Sequence, residues 1–190
     1  MNLPNKLTIL RLILIPVFVA IYYITVIPFN FVISAGIFVI AALTDFLDGY
    51  IARKYNLVTN LGKFLDPIAD KILVSTALIL LLVPLKALAL PWWVGILVAV
   101  ILARELLISG FRLVAVDKGI VIAADKIGKV KTFIQDVATV VLIVSFDFDF
   151  VLFNLPIIKV IGLALLILAT ILTIVSGISY LIKNKEVLKG

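Results

Sequence analysis

Cysteine and histidine are both missing from this chain of 190 residues. Their absence excludes disulfides, thiolate nucleophiles, imidazole acid–base chemistry and zinc sites built on nitrogen or sulfur ligands. Charge is scarce as well: Asp, Glu, Lys and Arg make up 15% of the residues, 64% are hydrophobic, and the mean hydropathy is +1.31. A soluble domain does not need so much apolar surface to fill its core, so the composition points to a bilayer. Any catalysis must come from carboxylates, Lys, Arg, hydroxyls or a bound hard cation. The net charge of +6 does not indicate nucleic acid, because the bases flank apolar runs and no soluble basic domain remains to hold a duplex. Anionic lipid or a phosphorylated substrate is the expected partner instead.

Apolar runs long enough to cross about 30 Å of hydrocarbon fall at residues 8 to 27, 31 to 52, 64 to 84, 92 to 114, 128 to 146 and 156 to 182. The expected fold is therefore an all-α integral membrane protein of six transmembrane helices. The N-terminal apolar run has no small-residue cleavage site behind it and reads as a retained first span. No linker or low-complexity tract divides the chain, so residues 1–190 form one domain. Cytoplasmic flanks concentrate Lys and Arg. With both termini cytoplasmic, only Lys86 and Lys159 fall on the far side, Trp92 and Trp93 sit at the outer interface, and Asp147 and Asp149 read as a solvated outer loop.

Four acids meet where the second span ends and the third begins: Asp45 and Asp48, then Asp66 and Asp70. At about 100° per residue, each pair projects from one helix face, about 60° apart for the first and about 40° for the second. The short intervening loop makes the two helices antiparallel neighbours, so the faces can converge. Four carboxylates at membrane depth repel one another and need a counter-charge. An oxygen-only ligand set selects hard ions, magnesium or manganese, and four carboxylates suffice for two of them. Two such cations can clamp the attacking and leaving oxygens of a phosphoryl transfer. Gly49 and Gly62, lacking side chains, allow a ligand or a neighbouring helix to approach, and Arg53 can pair with phosphate oxygens.

The run from Asp45 to Asp70 matches Asp-x-x-Asp-Gly-x-x-Ala-Arg followed by Gly-x-x-x-Asp-x-x-x-Asp at every fixed position. It resembles the signature of the CDP-alcohol phosphotransferase family. That resemblance implies six transmembrane helices, a homodimer, and transfer of the lipid-phosphate half of a cytidine diphosphate lipid to an alcohol with release of CMP. It assigns Asp45, Asp48 and Asp66 to the metals, makes Asp70 both a metal-site acid and the general base, and lines the cytidine diphosphate pocket with Gly49, Ala52, Arg53 and Gly62.

Outside the signature, the opening Asn2-Leu3-Pro4-Asn5-Lys6-Leu7-Thr8-Ile9-Leu10-Arg11 resembles the amphipathic start of the phosphatidylglycerophosphate synthase and cardiolipin synthase branch, and makes Asn5 a further candidate. Two stretches, 103–112 and 128–135, look like the fourth and fifth helices of the bacterial phosphatidylglycerophosphate synthases, which act in the cytoplasmic membrane. The donor implied is CDP-diacylglycerol and the acceptor glycerol 3-phosphate. An acceptor that is a phosphate ester needs a cationic pocket, and Arg112, Lys129 and Lys131 cluster at the cytoplasmic ends of neighbouring spans. Arg104 and Glu105 lie more than a turn inside the fourth span and must face protein or a polar cavity. Being adjacent and so about 100° apart, they are not expected to pair with each other. Ser109 and Thr132 can bond acceptor or backbone oxygens. The alternatives are a cardiolipin synthase type, with a lipid diester as acceptor, and a cation or proton transporter using intramembrane acids. The second predicts an internal repeat, and none is visible.

Overall fold

A computed structural model describes residues 2–55, 59–83, 90–119, 126–148, 151–152 and 155–188. Among them are six α-helices: α1 (Leu3–Tyr23), α2 (Asn30–Lys54), α3 (Asn60–Leu80), α4 (Val94–Asp117), α5 (Lys126–Val144) and α6 (Ile157–Lys183). A minimal antiparallel pairing of Val151–Leu152 with Leu155–Pro156 precedes α6, and a 3-10 turn, Lys185–Leu188, follows it. α1 packs chiefly along α2 and also on α3; α5 packs chiefly on α6, which also carries α4; α2 joins the two groups through α5.

Four helical segments are long and apolar enough to cross a membrane: Leu3–Tyr23, Asn30–Ala52, Val94–Asp117 and Ile157–Lys183. The other two helices carry too much charge. α3 includes Lys63, Asp66, Asp70 and Lys71, and α5 includes Lys126, Lys129, Lys131 and Asp136. The two helices richest in chemistry are thus the two that composition alone does not identify as spans.

The expected amphipathic opening is the first turns of α1 itself. Asn2 caps the helix by accepting the Asn5 backbone N–H at 3.3 Å, and Pro4 sits in the first turn, where its missing donor costs nothing. Pro4, Asn5, Thr8, Arg11, Ile15, Phe18 and Tyr22 form a buried stripe, while Leu3, Leu10, Ile13 and Val17 face outward. An inward face that carries the polar residues and an outward face that is apolar invert the pattern of a soluble helix and suit lipid.

The other half of α1 is held by aromatic packing. Phe18, Tyr22, Phe31 and Phe38 are buried and meet edge-on or tilted at centroid distances of 5.1–6.4 Å. Tyr22 donates its hydroxyl at 2.8 Å to the Leu80 carbonyl, which also accepts the Val83 N–H at 3.1 Å in the turn that ends α3. Asn30 donates to the Tyr22 carbonyl at 2.8 Å. Phe29 makes the turn with a left-handed φ of 56° and stacks on Phe148 at 5.3 Å. Asp147, expected in a solvated loop, instead accepts the Val32 backbone N–H at 2.8 Å. A carboxylate is favoured there because the first turn of α2 presents unpaired donors. Asp149 lies outside the described residues.

α5 and α6 approach closely at Gly162, where a Cβ atom would lie 2.7 Å from Leu142 Cγ and Cδ2 and 3.3 Å from its backbone nitrogen. Gly36, on the outward face of α2, has nothing within 4 Å of the same position. Gly162→Val is expected to destabilise the fold by about 1–3 kcal/mol through overpacking. Gly36→Ala should leave stability unchanged. Thermal unfolding of the detergent-solubilised protein checks the pair, and equal midpoints for the two variants would contradict this packing.

Candidate active site

The acids of α2 and α3 converge on α1. Arg11 is fully buried, and its guanidinium donates from Nη1 to Asp45 Oδ1 at 2.6 Å and from Nη2 to Asp48 Oδ2 at 2.5 Å. Its Nε lies 3.5 Å from Thr44 Oγ1. Three residues earlier in the polar stripe, the contacts pass to α3: Thr8 donates to Asp66 Oδ1 at 2.6 Å. Asn5 accepts from Thr59 Oγ1 at 2.8 Å, and that same hydroxyl oxygen caps α3 by accepting the Gly62 N–H at 3.0 Å. A Cβ on Gly62 would fall 3.1 Å from Asn5 Oδ1, 3.2 Å from Thr59 Oγ1 and 3.6 Å from Asp66 Oδ2. A side chain here would press on Asn5 and Thr59, because α1, the α3 cap and an acid of the cluster meet at one point.

Asp48 is buried, whereas 42% of the Asp45 side chain is exposed, so the cluster runs from the protein interior to an opening. Asp45 and Asp66 lie near enough to Asp48 to repel it, as Asp45 does Asp70. Asp136 on α5 is a fifth carboxylate near Asp70, and its Oδ1 is buried without a hydrogen-bond partner among the described residues. Four signature acids against one guanidinium leave the cluster strongly negative, and an oxygen-only donor set of that charge suits a hard divalent cation. Among the described residues no three acids converge tightly enough to hold an ion, and Arg11 takes one oxygen each of Asp45 and Asp48. The other oxygen of each, Asp45 Oδ2 and Asp48 Oδ1, is not engaged by Arg11. The donor chemistry therefore fits a cation.

Beyond Asp70 a cavity of about 260 Å³ opens between α3, α4 and α5. Its polar wall comprises Asp70, Lys71, Ser75, Glu105, Lys131, Thr132 and Gln135. Lys131 is 1% exposed and its ammonium bonds Glu105 Oε1. Glu105 also accepts from its neighbour Arg104 at 3.1 Å, so the expectation that the two do not pair is corrected. Backbone azimuth separates adjacent residues, but the Arg104 side chain is long enough to curl back. Its other amino group donates to Ser176 Oγ on α6 at 3.1 Å, and its stem lies against Gly177, where a Cβ would come within 3.1 Å of Arg104 Cγ.

The three bases expected to gather around an acceptor phosphate are dispersed. Lys131 is on the cavity wall; Lys129 is exposed; Arg112 donates from Nε to the Tyr180 hydroxyl at 3.1 Å and lies 5.5 Å above that ring. Proximity along the ends of α4 and α5 does not bring them together, because α4 turns this face to α6. Ser109 donates to the Glu105 carbonyl at 2.6 Å and Thr132 to the Gly128 carbonyl at 3.0 Å, each one turn back on its own helix. Gly49 and Ala52 lie on the last turns of α2, half-buried, and the side chain of Arg53 lies outside the described residues.

Arg11 and Thr8 are the site residues that sequence reasoning missed, Arg11 having been counted only as a cytoplasmic base. The available signal was the spacing of Asn5, Thr8 and Arg11, three apart on one face of an otherwise apolar helix. Lys71 and Gln135 carried no signal beyond their positions one residue past Asp70 and one turn past Lys131.

A model of the CDP-alcohol phosphatidyltransferase family matches residues 1–179. The chain is 44% identical over 200 aligned positions to the CDP-diacylglycerol–glycerol-3-phosphate 3-phosphatidyltransferase of Bacillus subtilis, covering 99% of this chain and 97% of that one. It is 41% identical to the enzyme of the same name from Rickettsia bellii, covering 94% and 93%, and 40% identical to that of Salmonella typhimurium, covering 95% and 93%. A match that runs through the acid cluster and across nearly the full length of both chains means that this chain belongs to the CDP-alcohol phosphatidyltransferase family.

Proposed function

We propose that the chain transfers the phosphatidyl group of CDP-diacylglycerol to glycerol 3-phosphate, giving phosphatidylglycerol phosphate and CMP. The observation that carries this reading is the position of Asp70, which belongs to the acid cluster on one side and to a small cavity lined by two lysines on the other. The names of the relatives supply the substrates.

In this reading Asp45, Asp48, Asp66 and Asp70 would hold two divalent cations, magnesium or manganese, whose chemistry when bound is to neutralise the diphosphate. Gly49, Ala52, Arg53 and Gly62 border the cytidine diphosphate headgroup, and the acyl chains stay among lipid. Asp70 takes the proton of the acceptor's primary hydroxyl, and that oxygen attacks the lipid-side phosphorus. The bond from that phosphorus to the bridging oxygen breaks, and the electron pair leaves on CMP. The protein mainly positions groups and balances charge, as phosphoryl transfer requires.

The acceptor phosphate is assigned to Lys131 and Lys71, the cations on the cavity wall. Lys131 has three N–H donors, so one can stay on Glu105 while others bond phosphate. Arg112 and Lys129 are off that wall and serve the positive cytoplasmic flank. A cavity of about 260 Å³ suits a small phosphomonoester better than the lipid diester that a cardiolipin synthase accepts. We further propose six spans with both termini cytoplasmic, α3 and α5 crossing with their charged ends at the inner face, and a homodimer in a bacterial-type cytoplasmic membrane. The distribution of Lys and Arg supports the orientation, and the family resemblance supports the dimer.

Purified protein given CDP-diacylglycerol and magnesium should release CMP with glycerol 3-phosphate and not with serine, inositol phosphate or phosphatidylglycerol. Release only with another acceptor would overturn the substrate assignment. Asp70→Asn should lower kcat by about 100-fold or more, the scale of a lost general base; turnover near wild type would remove Asp70 from that role. Lys131→Gln should raise the KM for glycerol 3-phosphate about tenfold or more, the scale of one charge-assisted hydrogen bond, with the KM for CDP-diacylglycerol unchanged. The same change at Lys129 should leave both constants near wild type, and equal effects at the two positions would contradict the assignment.

A further inference from the structure

Among the polar side chains that line the cavity beside Asp70, Gln135 is the one with a buried oxygen left without a partner among the described residues and lies outside both the acid cluster and the cation pair. Gln135 lies on α5 one turn after Lys131, on the same face and about 6 Å farther along the axis. It is 1% exposed and lines the cavity with Asp70 and Lys131. Its carbonyl oxygen is buried without a hydrogen-bond partner among the described residues. The other polar side chains of this helix face are already engaged: Lys131 on Glu105, and Thr139 on the Gln135 backbone carbonyl at 2.9 Å. Val74, Leu78 and Leu102 supply the apolar part of the wall, and Ser75 and Thr132 its hydroxyls. A buried amide left unsatisfied in such surroundings costs free energy that a suitable ligand recovers.

We infer that the Gln135 side-chain amide recognises the secondary hydroxyl of the acceptor and thereby sets which phosphomonoester alcohols are used. This deepens the function proposed above and rests on it. With the acceptor phosphate on Lys131 and its primary hydroxyl at Asp70, the hydroxyl on the middle carbon is the polar group still without a partner. A hydroxyl both donates and accepts, and so does a primary amide, whichever way its oxygen and nitrogen are turned. An apolar side chain in place of the amide would strand that hydroxyl in a dry pocket, whereas an acceptor lacking the hydroxyl strands the amide instead. Discrimination of this kind comes from a buried polar group left unpaired. Gln135 touches neither the reacting oxygen nor the diphosphate, so its loss should be felt in acceptor choice.

The test compares glycerol 3-phosphate with 3-hydroxypropyl phosphate, the same acceptor without its secondary hydroxyl, using detergent-solubilised full chain, CDP-diacylglycerol and magnesium. Wild type should prefer glycerol 3-phosphate by about tenfold or more in kcat/KM. Gln135→Met, close in size and shape, should bring that preference to about one while leaving the KM for CDP-diacylglycerol unchanged. Gln135→Leu is the second variant, read if the first does not give monodisperse protein. A preference that persists in the variant, or that is missing in wild type, would overturn the inference while leaving the proposed function standing. Equal loss of turnover with both acceptors, or failure of both variants to fold, would also overturn it, because the amide would then be a structural element. If wild type releases no CMP with glycerol 3-phosphate, the proposed function itself falls.

Discussion

A buried guanidinium between two carboxylates sets the terms for everything around it. Arg11 has no exposed surface, and at membrane depth an unpaired charge of that kind is not tolerated. Asp48 is buried beside it and Asp45 reaches toward the opening, so the guanidinium and the buried carboxylate each make the other possible. Removing one partner of such a buried pair costs about 3–5 kcal/mol, chiefly because the remaining charge is left uncompensated. The contact fixes the rotation of α1 against α2, and with that rotation set, Thr8 and Asn5 on the same stripe necessarily face α3. α1 thus acts as the polar spine on which the two acid-bearing helices are registered.

The two ends of this helix do different work. Toward Tyr23 it is locked by interleaved aromatic rings and by the Tyr22–Leu80 hydrogen bond, contacts that are specific in shape and carry no charge. Toward Leu3 it holds the acid cluster through the Arg11 ion pairs and the hydrogen bonds of Thr8 and Asn5. Rigid packing at one end lets the other hold an arrangement with more negative than positive charge, which would otherwise open to admit water. The negative excess is what a phosphoryl-transfer site built without histidine or cysteine needs if hard cations are to bind there.

The acid cluster was legible in the sequence because its spacing is a helix property: acids three and four apart share a face, and a short loop sets the two faces against each other. Six helices were legible from apolar runs, although α3 and α5 are charged enough that composition alone identifies four spans. What could not be read is where long side chains end. Arg11 looked like one more cytoplasmic base, since positive flanks are expected on topological grounds. Arg112 and Lys129 looked like neighbours of Lys131, because helix ends adjacent in a diagram suggest a cluster. Packing decides otherwise: Arg112 lies over Tyr180 of α6, and Lys131 faces inward toward Glu105. Asp147 likewise was placed by the first turn of α2, more than a hundred residues earlier in the chain.

The same packing explains how a lysine can wait, buried, for an anionic ligand. Lys131 is as inaccessible as Arg11, but its single carboxylate partner is shared: Glu105 also takes a hydrogen bond from Arg104. Arg104 in turn is seated on α6 by Ser176 and by the space that Gly177 leaves. Two cations on one carboxylate leave that group with one positive charge in excess, held in place from the far side by a helix that takes no part in the cavity wall. On the proposed function, an incoming phosphomonoester offsets that excess while Lys131 keeps one donor on Glu105. On the same reading, α6 would contribute to acceptor binding by seating Arg104 against Glu105, which is why the glycine and serine that hold Arg104 belong to the logic of the site although neither lines it.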